Sequence, residues 1–276
     1  MRRQPLFFCL LALVLSAVPT VRAQTPAPEL VPEPELVQVS PPTLRRAEPP
    51  AVSASADELE KRGDELRVEK NYLDALDYYR AALAKRPAGA AVYNKAGIAE
   101  LMMQRYKEAG KDFERAVHID RQYADAVNNL GVIEYEEKKY GKAIKQYEKA
   151  IRLQPDSASF YSNQGAAFFG KKEFVKASEA YAKAIQLDPS ILDRTSHNGV
   201  SAQLPSPEDR ARYDYIIARL CAKQGDRDRS LQYLRRALED GYKGIDDVYK
   251  DPEFAGLRSD ARFAELMAAR PPAIPE

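Results

Sequence analysis

The sequence has few of the residues from which catalytic and metal sites are usually built. It contains two cysteines, Cys9 and Cys221, and two histidines, His118 and His197, among 276 residues. The histidines are far apart in sequence, and neither has a cysteine or carboxylate at metal-ligand spacing, so we expect no metal site. Cys221 lies in the apolar run YIIARLCA and is interpreted as a buried small hydrophobic residue rather than a nucleophile.

Motifs of the common enzyme classes are also missing. The sequence contains no P-loop, no GxGxxG, no HExxH and no GxSxG. Each of these motifs places a phosphate cradle, a metal pair or a nucleophile at a fixed position of a fold, and nothing else in the chain supplies an equivalent group. We therefore predict that the protein is not an enzyme and that it binds no cofactor.

A large surplus of charge of one sign is missing as well. There are 42 Lys and Arg residues against 41 Asp and Glu residues, a net charge of +1. Removing Arg2, Arg3 and Arg22 with an N-terminal leader leaves 39 basic residues against 41 acidic ones, a net charge of −2. Proteins that bind nucleic acid usually have a basic surplus or a basic stripe, so we do not expect nucleic acid as a partner.

The first 23 residues are typical of a secretory signal peptide. A charged start is followed by an apolar run from Leu6 to Val18 and by small residues that end at Ala23. The run is shorter than the roughly 18–20 residues of a membrane span, so we expect cleavage near Ala23 and a periplasmic or secreted protein with no stable span. The alternative is a protein anchored by the uncleaved segment. Residues 24–55 are rich in proline, which predicts a disordered linker.

A repeat dominates the rest of the chain, and its step of 34 residues is that of helix-turn-helix solenoids. The columns that keep this step are glycine (Gly63, Gly97, Gly131, Gly165), an aromatic residue (Tyr72, Tyr106, Tyr140, Phe174), alanine (Ala75, Ala109, Ala143, Ala177), a second aromatic residue (Tyr79, Phe113, Tyr147, Tyr181) and a second alanine (Ala82, Ala116, Ala150, Ala184). Apolar residues at helical spacing predict two amphipathic helices in each unit. Because no unit can bury its apolar face alone, the units are predicted to stack into an all-α solenoid.

One set of residues in the third unit resembles the tetratricopeptide repeat consensus: Leu130, Gly131, Tyr140, Ala143, Tyr147, Ala150 and Pro155. The resemblance covers about 56–189 and implies a right-handed superhelix of antiparallel helix pairs with a concave face that binds peptides or proteins. We predict units at 56–89, 90–123, 124–157 and 158–191, then a loop at 192–206. A degenerate fifth unit with capping helices at 207–270 resembles the end of bacterial arrays, and a disordered tail follows at 271–276.

The resemblance also implies which residues line the concave face, namely the second, fifth, ninth and twelfth positions of the first helix in each unit. From these positions we predict a partner-binding surface formed by Asn94, Ile98, Leu101, Asn128, Val132, Tyr135, Ser162 and Phe169. The alternative is that part of this stripe only packs between repeats. A carboxylate clamp for chaperone tails is not expected, because Glu60 and Asp64 occupy positions where that clamp needs a cation and an amide.

Taken together, these features predict an exported bacterial scaffold or adaptor that binds a protein or peptide on its concave face in the cell envelope. Two alternatives remain open at this point. One is a structural array that associates with itself into a homo-oligomer, and the other is a non-catalytic subunit of an envelope complex.

Overall fold

The computed structural model of the chain describes residues 47–191, 204 and 206–269. The chain divides into two units, 1–40 and 41–276, and the first lies wholly outside the described residues. The predicted signal peptide, most of the predicted linker, nearly all of the 192–206 loop and the tail at 271–276 also lie outside them.

The described part of the chain is entirely helical and contains no strand. Its α-helices, in order, are α1 Ala56–Val68, α2 Tyr72–Lys85, α3 Ala90–Met102, α4 Tyr106–Ile119, α5 Ala124–Glu136, α6 Tyr140–Leu153, α7 Ala158–Gly170, α8 Phe174–Leu187, α9 Pro207–Lys223, α10 Arg227–Glu239 and α11 Ala261–Ala269. Consecutive helices pack as pairs, from α1 with α2 to α9 with α10. This arrangement confirms the predicted α-solenoid of helix pairs. Among these helices, none combines the length and apolarity needed to cross a bilayer.

The repeated glycines pack directly against the repeated aromatic rings. A Cβ atom on Gly131 would lie 2.6 Å from Cε1 of Tyr147, and one on Gly97 would lie 2.6 Å from Cε1 of Phe113. Both rings are completely buried, and so are Ala109 and Ala143 beside them. Glycine thus brings the two helices of each unit close enough for a large ring to fill the space between them.

The second helix of each unit ends at the same position whether or not a proline follows. α6 ends at Leu153, two residues before Pro155, and the residue before the proline is extended, as proline requires of its neighbour. α4 ends at the equivalent residue, Ile119, although Arg121 stands in the place of the proline. The helix therefore ends here without a proline, and where a proline follows it prevents the helix from continuing.

The tyrosine hydroxyls of this buried aromatic column differ in their environment. The Tyr79 hydroxyl donates to Asp64 at 2.8 Å and accepts from Nε of Arg67 at 3.3 Å. The hydroxyls of Tyr147 and Tyr181 are buried and find no hydrogen-bond partner in the described part of the chain. A buried polar group without a partner destabilises the folded state by about 1–3 kcal/mol.

We therefore expect Tyr147→Phe to raise the free energy of unfolding by about 1 kcal/mol, whereas Tyr79→Phe lowers it by about the same amount. Urea denaturation followed by circular dichroism measures both changes. Phe113, which fills this column in the second unit, shows that the site accepts the ring without its hydroxyl. An equal loss in the two variants would mean that the Tyr147 hydroxyl has a partner.

The last residues of the proline-rich stretch lie along the outer side of α2. The backbone N–H of Ala47 donates to the Asp74 carboxylate at 3.2 Å, and the Tyr78 hydroxyl donates to the Glu48 carbonyl at 3.1 Å. At the other end of the helix, Nζ of Lys85 donates to the carbonyl of Val52 at 2.7 Å. Residues 47–54 are thus an irregular segment held against a helix, and Ser55 then caps α1.

The fifth helix pair begins and ends as its sequence suggests. Ser206 caps α9 by accepting a hydrogen bond from the backbone of Asp209 at 3.1 Å, and Pro207 is the first helical residue. Gly225 and Gly241 follow α9 and α10 with φ of +80° and +75°, the left-handed conformation that favours glycine. Two short 3-10 helices, Ile245–Tyr249 and Pro252–Phe254, then lead to α11.

Candidate interaction surface

The first helices of the units form one layer and the second helices form another. α3 packs against α1 and α5, and α5 packs against α7, in addition to the contacts within each pair. Direct contact between successive first helices places them on the inside of the stack, as the repeat consensus implies. We call the layer α1, α3, α5 and α7 the inner layer, and α2, α4, α6 and α8 the outer layer.

A chain of buried amides crosses the inner layer. Nδ2 of Asn163 donates to Oδ1 of Asn128 at 3.0 Å, and Nδ2 of Asn129 donates to Oδ1 of Asn94 at 2.9 Å. Asn128 and Asn129 are joined at 3.2 Å, and Asn94 reaches the hydroxyl of Tyr123 at 3.4 Å. All four asparagines are at most 8% exposed. Because buried amides are costly unless bonded, this chain fixes the positions of α3, α5 and α7 relative to one another.

At the junction between the first and second units, charged side chains occupy the positions that the amides hold in the later junctions. Nζ of Lys95 lies 2.7 Å from Glu60 and 2.6 Å from Asp64. Burial acts to lower the pKa of Lys95, but its hydrogen bonds to Asp64 and Glu60 outweigh burial, so the pKa is raised. Arg86 pairs with Glu60 from the other side at 2.5 Å. The two acids that argue against a carboxylate clamp are therefore occupied by cations of the chain itself.

The eight residues predicted to bind a partner fall into two groups. Five are buried in the packing of the described chain: Asn94, Asn128, Val132, Tyr135 and Phe169. Ile98, Leu101 and Ser162 are half-buried and have accessible surface. A side chain without exposed surface cannot touch a partner in this arrangement, so a contribution from Tyr135 would act through the position of α5. The role of all eight in partner binding stays a prediction.

The packing around the buried aromatic residues explains why they are not accessible. The ring of Tyr135 lies 5.4 Å from that of Tyr140 at the start of α6. The ring of Phe169 meets Phe174 at 5.1 Å and Tyr213 of α9 at 5.8 Å, both edge to face. Phe169 thus joins the fourth unit to the fifth. Tyr135 therefore meets an aromatic ring of its own unit, whereas Phe169 packs both within its unit and against the fifth.

Two carboxylates depart from the repeat consensus, Glu100 and Glu134, and both lie near basic side chains of the chain. Glu100 is 5% exposed and lies 3.4 Å from Arg105 and 3.8 Å from Arg80. Burial raises its pKa and outweighs the effect of the two arginines. Arg80 in turn binds both oxygens of Asp112, at 2.7 and 2.5 Å. Glu100 therefore belongs to an ion-pair cluster between the first two units. Its equivalent, Glu134, lies 4.0 Å from Lys139.

The inner side of the fifth unit is covered by the chain itself. When Ala218 is aligned with the repeated Gly165, Tyr215 and Arg219 of α9 match Ser162 and Ala166 of α7. The ring of Tyr215 stacks on Tyr242 at 4.4 Å and meets Phe254 at 5.6 Å, and Nε of Arg219 lies 3.5 Å from Asp251. The segment 242–254, which contains the two 3-10 helices, thus lies on this face and is held by aromatic contacts and an ion pair.

The described residues offer little for metal binding or thiol chemistry. They contain no group of three or more His, Cys, Asp or Glu side chains that could hold a metal ion. Cys221 is 1% exposed within the core of the fifth unit, where a thiol cannot reach a substrate. Sequence reasoning missed the amide chain, although Lys95, Asn129 and Asn163 recur at the 34-residue step and mark it.

Comparison with known proteins agrees with this architecture. Two family models match the chain, one described as a tetratricopeptide repeat at residues 61–126 and one as a TPR repeat at residues 132–172. Among solved structures, the crystal structure of MamA is 24% identical, with 64% of this chain and 93% of that one covered and a TM-score of 0.45. The structure of pilF from Pseudomonas aeruginosa is 23% identical, with 78% and 82% covered and a TM-score of 0.48.

Proposed function

Because the chain belongs to the tetratricopeptide repeat family, we propose that it is an exported scaffold of the cell envelope that binds a peptide segment of a partner protein on its inner layer. The repeat fold is consistent with a protein–protein interaction scaffold. Export and location rest on the leader-like residues 1–23, and the binding face rests on the geometry of α3, α5 and α7.

The observation that carries the proposal is the covered inner side of the fifth unit. There the chain holds its own segment at 242–254 through Tyr215 and Arg219, and Lys223 adds an ion pair to Glu253 at 3.0 Å. The equivalent side of the second to fourth units has no such cover among the described residues. The inner side of the second to fourth units is formed by the same repeat positions but stays open, so it is suited to a segment from another protein.

The open surface is preformed. The amide chain beneath it is buried, and its members bond to one another, so little order remains to be gained when a partner binds. Above the amides, Ile98 and Leu101 offer apolar surface, and Met102 at 42% exposure extends it. Ser162 and Asp125 add polar groups at the other repeats. An apolar strip edged by polar groups is typical of grooves that take an extended peptide.

Site-specific photocrosslinking tests this surface. We expect a photoreactive amino acid at Ile98 or Ser162 to yield a discrete adduct with one envelope protein. The same residue at Val175, which is 74% exposed on α8, serves as the outer-layer control and is expected to give no such adduct. A peptide from the captured protein should then bind the wild type at least tenfold more tightly than Ile98→Arg, a difference of about 1.4 kcal/mol, in fluorescence anisotropy.

Identical adducts from both faces, or equal affinity for Ile98→Arg, would overturn the inner-layer assignment. Sedimentation velocity over a range of concentrations distinguishes a partner from a second copy of the chain. Export is tested separately by N-terminal sequencing of the protein recovered from the periplasm. A mature N-terminus directly after Ala23 is expected, and recovery of the intact chain from the cytoplasm would contradict export.

A further inference from the structure

The outer face of α6 carries a stripe of cations along its whole length. We call it the α6 basic stripe, and it consists of Lys142, Lys145, Lys149 and Arg152. The spacing of three, four and three residues puts all four on one side of the helix. All four are exposed, and none forms a side-chain hydrogen bond or ion pair within the described residues. From Lys142 to Arg152 the stripe is about 15 Å long, at 1.5 Å of helix rise for each residue.

The stripe is specific to the third unit. At its first position α2 has Asp74 and α4 has Glu108, and at its second position α8 has Glu179. Lys139 directly precedes α6, and the first turn of the helix contains no acid. Cations near a helix N-terminus oppose the helix dipole by about 0.3–1 kcal/mol each. Of the four cations, only Lys142 lies in the first turn, whereas Arg152 lies in the last turn, where the dipole favours a cation. Glu148 is the acid of α6 nearest to the stripe, and it forms no ion pair with the four cations within the described residues.

Gly141 adds a second unexplained cost. It is the second residue of α6, and a Cβ atom there would have no neighbour within 4 Å. Glycine within a helix lowers stability by about 1 kcal/mol relative to alanine. Unlike Gly131, which makes room for Tyr147, Gly141 has no packing reason inside the chain. It leaves the backbone at the start of the stripe open to approach from outside.

The structure contains a precedent for what such a face holds. The same face of α2, two units earlier, is covered by residues 47–54, which bond to Asp74 at one end of the helix and Lys85 at the other. Ala47 and Ala54 pack against the same cluster as Ala81. In this chain, then, the outer face of a second helix serves as a platform for an irregular segment that runs along it.

We propose that the α6 basic stripe docks an acidic, irregular segment of a partner protein. Charge complementarity selects the occupant, because four exposed cations on one face favour a segment that carries carboxylates. At about 3.3 Å per residue, about five extended residues span the stripe.

The narrowness of the stripe favours a protein segment over a membrane surface. A flat anionic bilayer would meet the outer faces of α4, α6 and α8 together. Glu114 on α4 and Glu179 on α8 are both exposed and would face it. All four positions of the stripe are basic only on α6, whereas α4 and α8 each have one acid among them, and this pattern matches a single chain. Proximity of like charges raises the local potential and speeds association with an acidic partner, in a manner that salt weakens.

The test is fluorescence anisotropy of the full mature chain with a labelled ten-residue peptide that alternates glutamate with leucine and valine. We expect binding that weakens at least tenfold in the triple variant Lys142→Glu, Lys145→Glu, Lys149→Glu. The matched control, Lys61→Glu, Lys243→Glu, Lys250→Glu, makes the same change of net charge at exposed sites elsewhere and is expected to bind as the wild type does. A peptide with glutamine in place of glutamate is expected not to bind.

Three outcomes would overturn the proposal. Equal loss in both triple variants would mean that only net charge matters. Equal binding of the glutamine peptide would remove the role of the carboxylates. No peptide binding, together with binding to phosphatidylglycerol vesicles that the stripe variant loses, would make the stripe a lipid-binding surface. Far-UV circular dichroism checks that both variants fold. The Ile98 photocrosslink is expected to persist in the stripe variant, so failure here is separable from failure of the inner-layer proposal.

Discussion

Replacing Tyr147 with alanine is expected to lower the free energy of unfolding by about 3–5 kcal/mol. The ring is completely buried between α5 and α6, and truncating a buried aromatic side chain loses its transfer energy and leaves a cavity. Because each unit contacts only its neighbours, the loss is concentrated at the third unit and weakens both halves of the array. Urea denaturation monitored by circular dichroism measures the change.

In the Tyr147→Ala variant, the effect of Gly131→Ala on the free energy of unfolding is expected to change sign. In the wild type we expect Gly131→Ala to destabilise the protein by about 1–2 kcal/mol, since the new Cβ would lie 2.6 Å from the Tyr147 ring and the overlap outweighs the gain in helix propensity. In the Tyr147→Ala background the ring is gone, and Gly131→Ala is expected to stabilise the protein by about 1 kcal/mol. The control, Gly141→Ala, meets no neighbour and should stabilise both backgrounds equally. The same sign for Gly131→Ala in both backgrounds would contradict the packing account.

Asp214→Asn is expected to stabilise the protein by at most about 4 kcal/mol at pH 8 and to have no effect near pH 3.5. Burial raises the pKa of Asp214 to about 7, in spite of the nearby Arg236. A carboxyl whose pKa is raised by folding is more favourable in its protonated form, so its ionisation opposes folding. The destabilisation is absent below the unfolded pKa of about 3.9, grows as the pH rises, and is complete above about 7. The upper limit follows because a tenfold change in the acid dissociation constant corresponds to about 1.4 kcal/mol.

Asp226→Ala serves as the control, because its effect on stability is expected to have the opposite sign. Burial acts to raise the pKa of Asp226, but hydrogen bonds from the backbone and side chain of Arg229 outweigh it and lower the pKa. This carboxylate caps α10 by accepting from the N–H of Arg229 at 3.0 Å. We expect its removal to cost about 1 kcal/mol at pH 7 and progressively less below pH 4, where the acid is protonated. Parallel pH profiles for the two variants would contradict the assignment for Asp214.

The sequence predicts the architecture because each repeated column has one dominant physical role. Gly131, Tyr147 and Ala150 can recur only if two helices pack in the same way in every unit, so the fold class follows from the spacing. The inner surface is harder to predict. Tyr135 and Ile98 both lie at inner positions, yet only Ile98 is accessible, because burial depends on how closely neighbouring first helices approach. The spacing of residues along the sequence does not reveal how closely two neighbouring first helices approach.

Composition also misled at one boundary. Prolines at 49 and 50 place the stretch around them in the predicted linker, and proline does disfavour regular structure there. The structure nevertheless holds residues 47–54 on α2, because Tyr78 and Lys85 supply the hydrogen bonds that the segment cannot make with itself. Those partners are 30 and 33 residues away in sequence, and no local pattern reveals them.

The amide chain of the inner layer allows whole units to be removed from the array or added to it. In each of the first three junctions the residue at the sixth position of one unit donates to the residue at the fifth position of the unit before: Lys95 to Glu60, Asn129 to Asn94, and Asn163 to Asn128. Excising the 34 residues of the third unit would bring Asn163 onto Asn94 and rebuild the same bond. Duplicating that unit would do likewise. The chain can therefore be shortened or lengthened at this point by whole units, a property on which evolution and protein engineers can both draw.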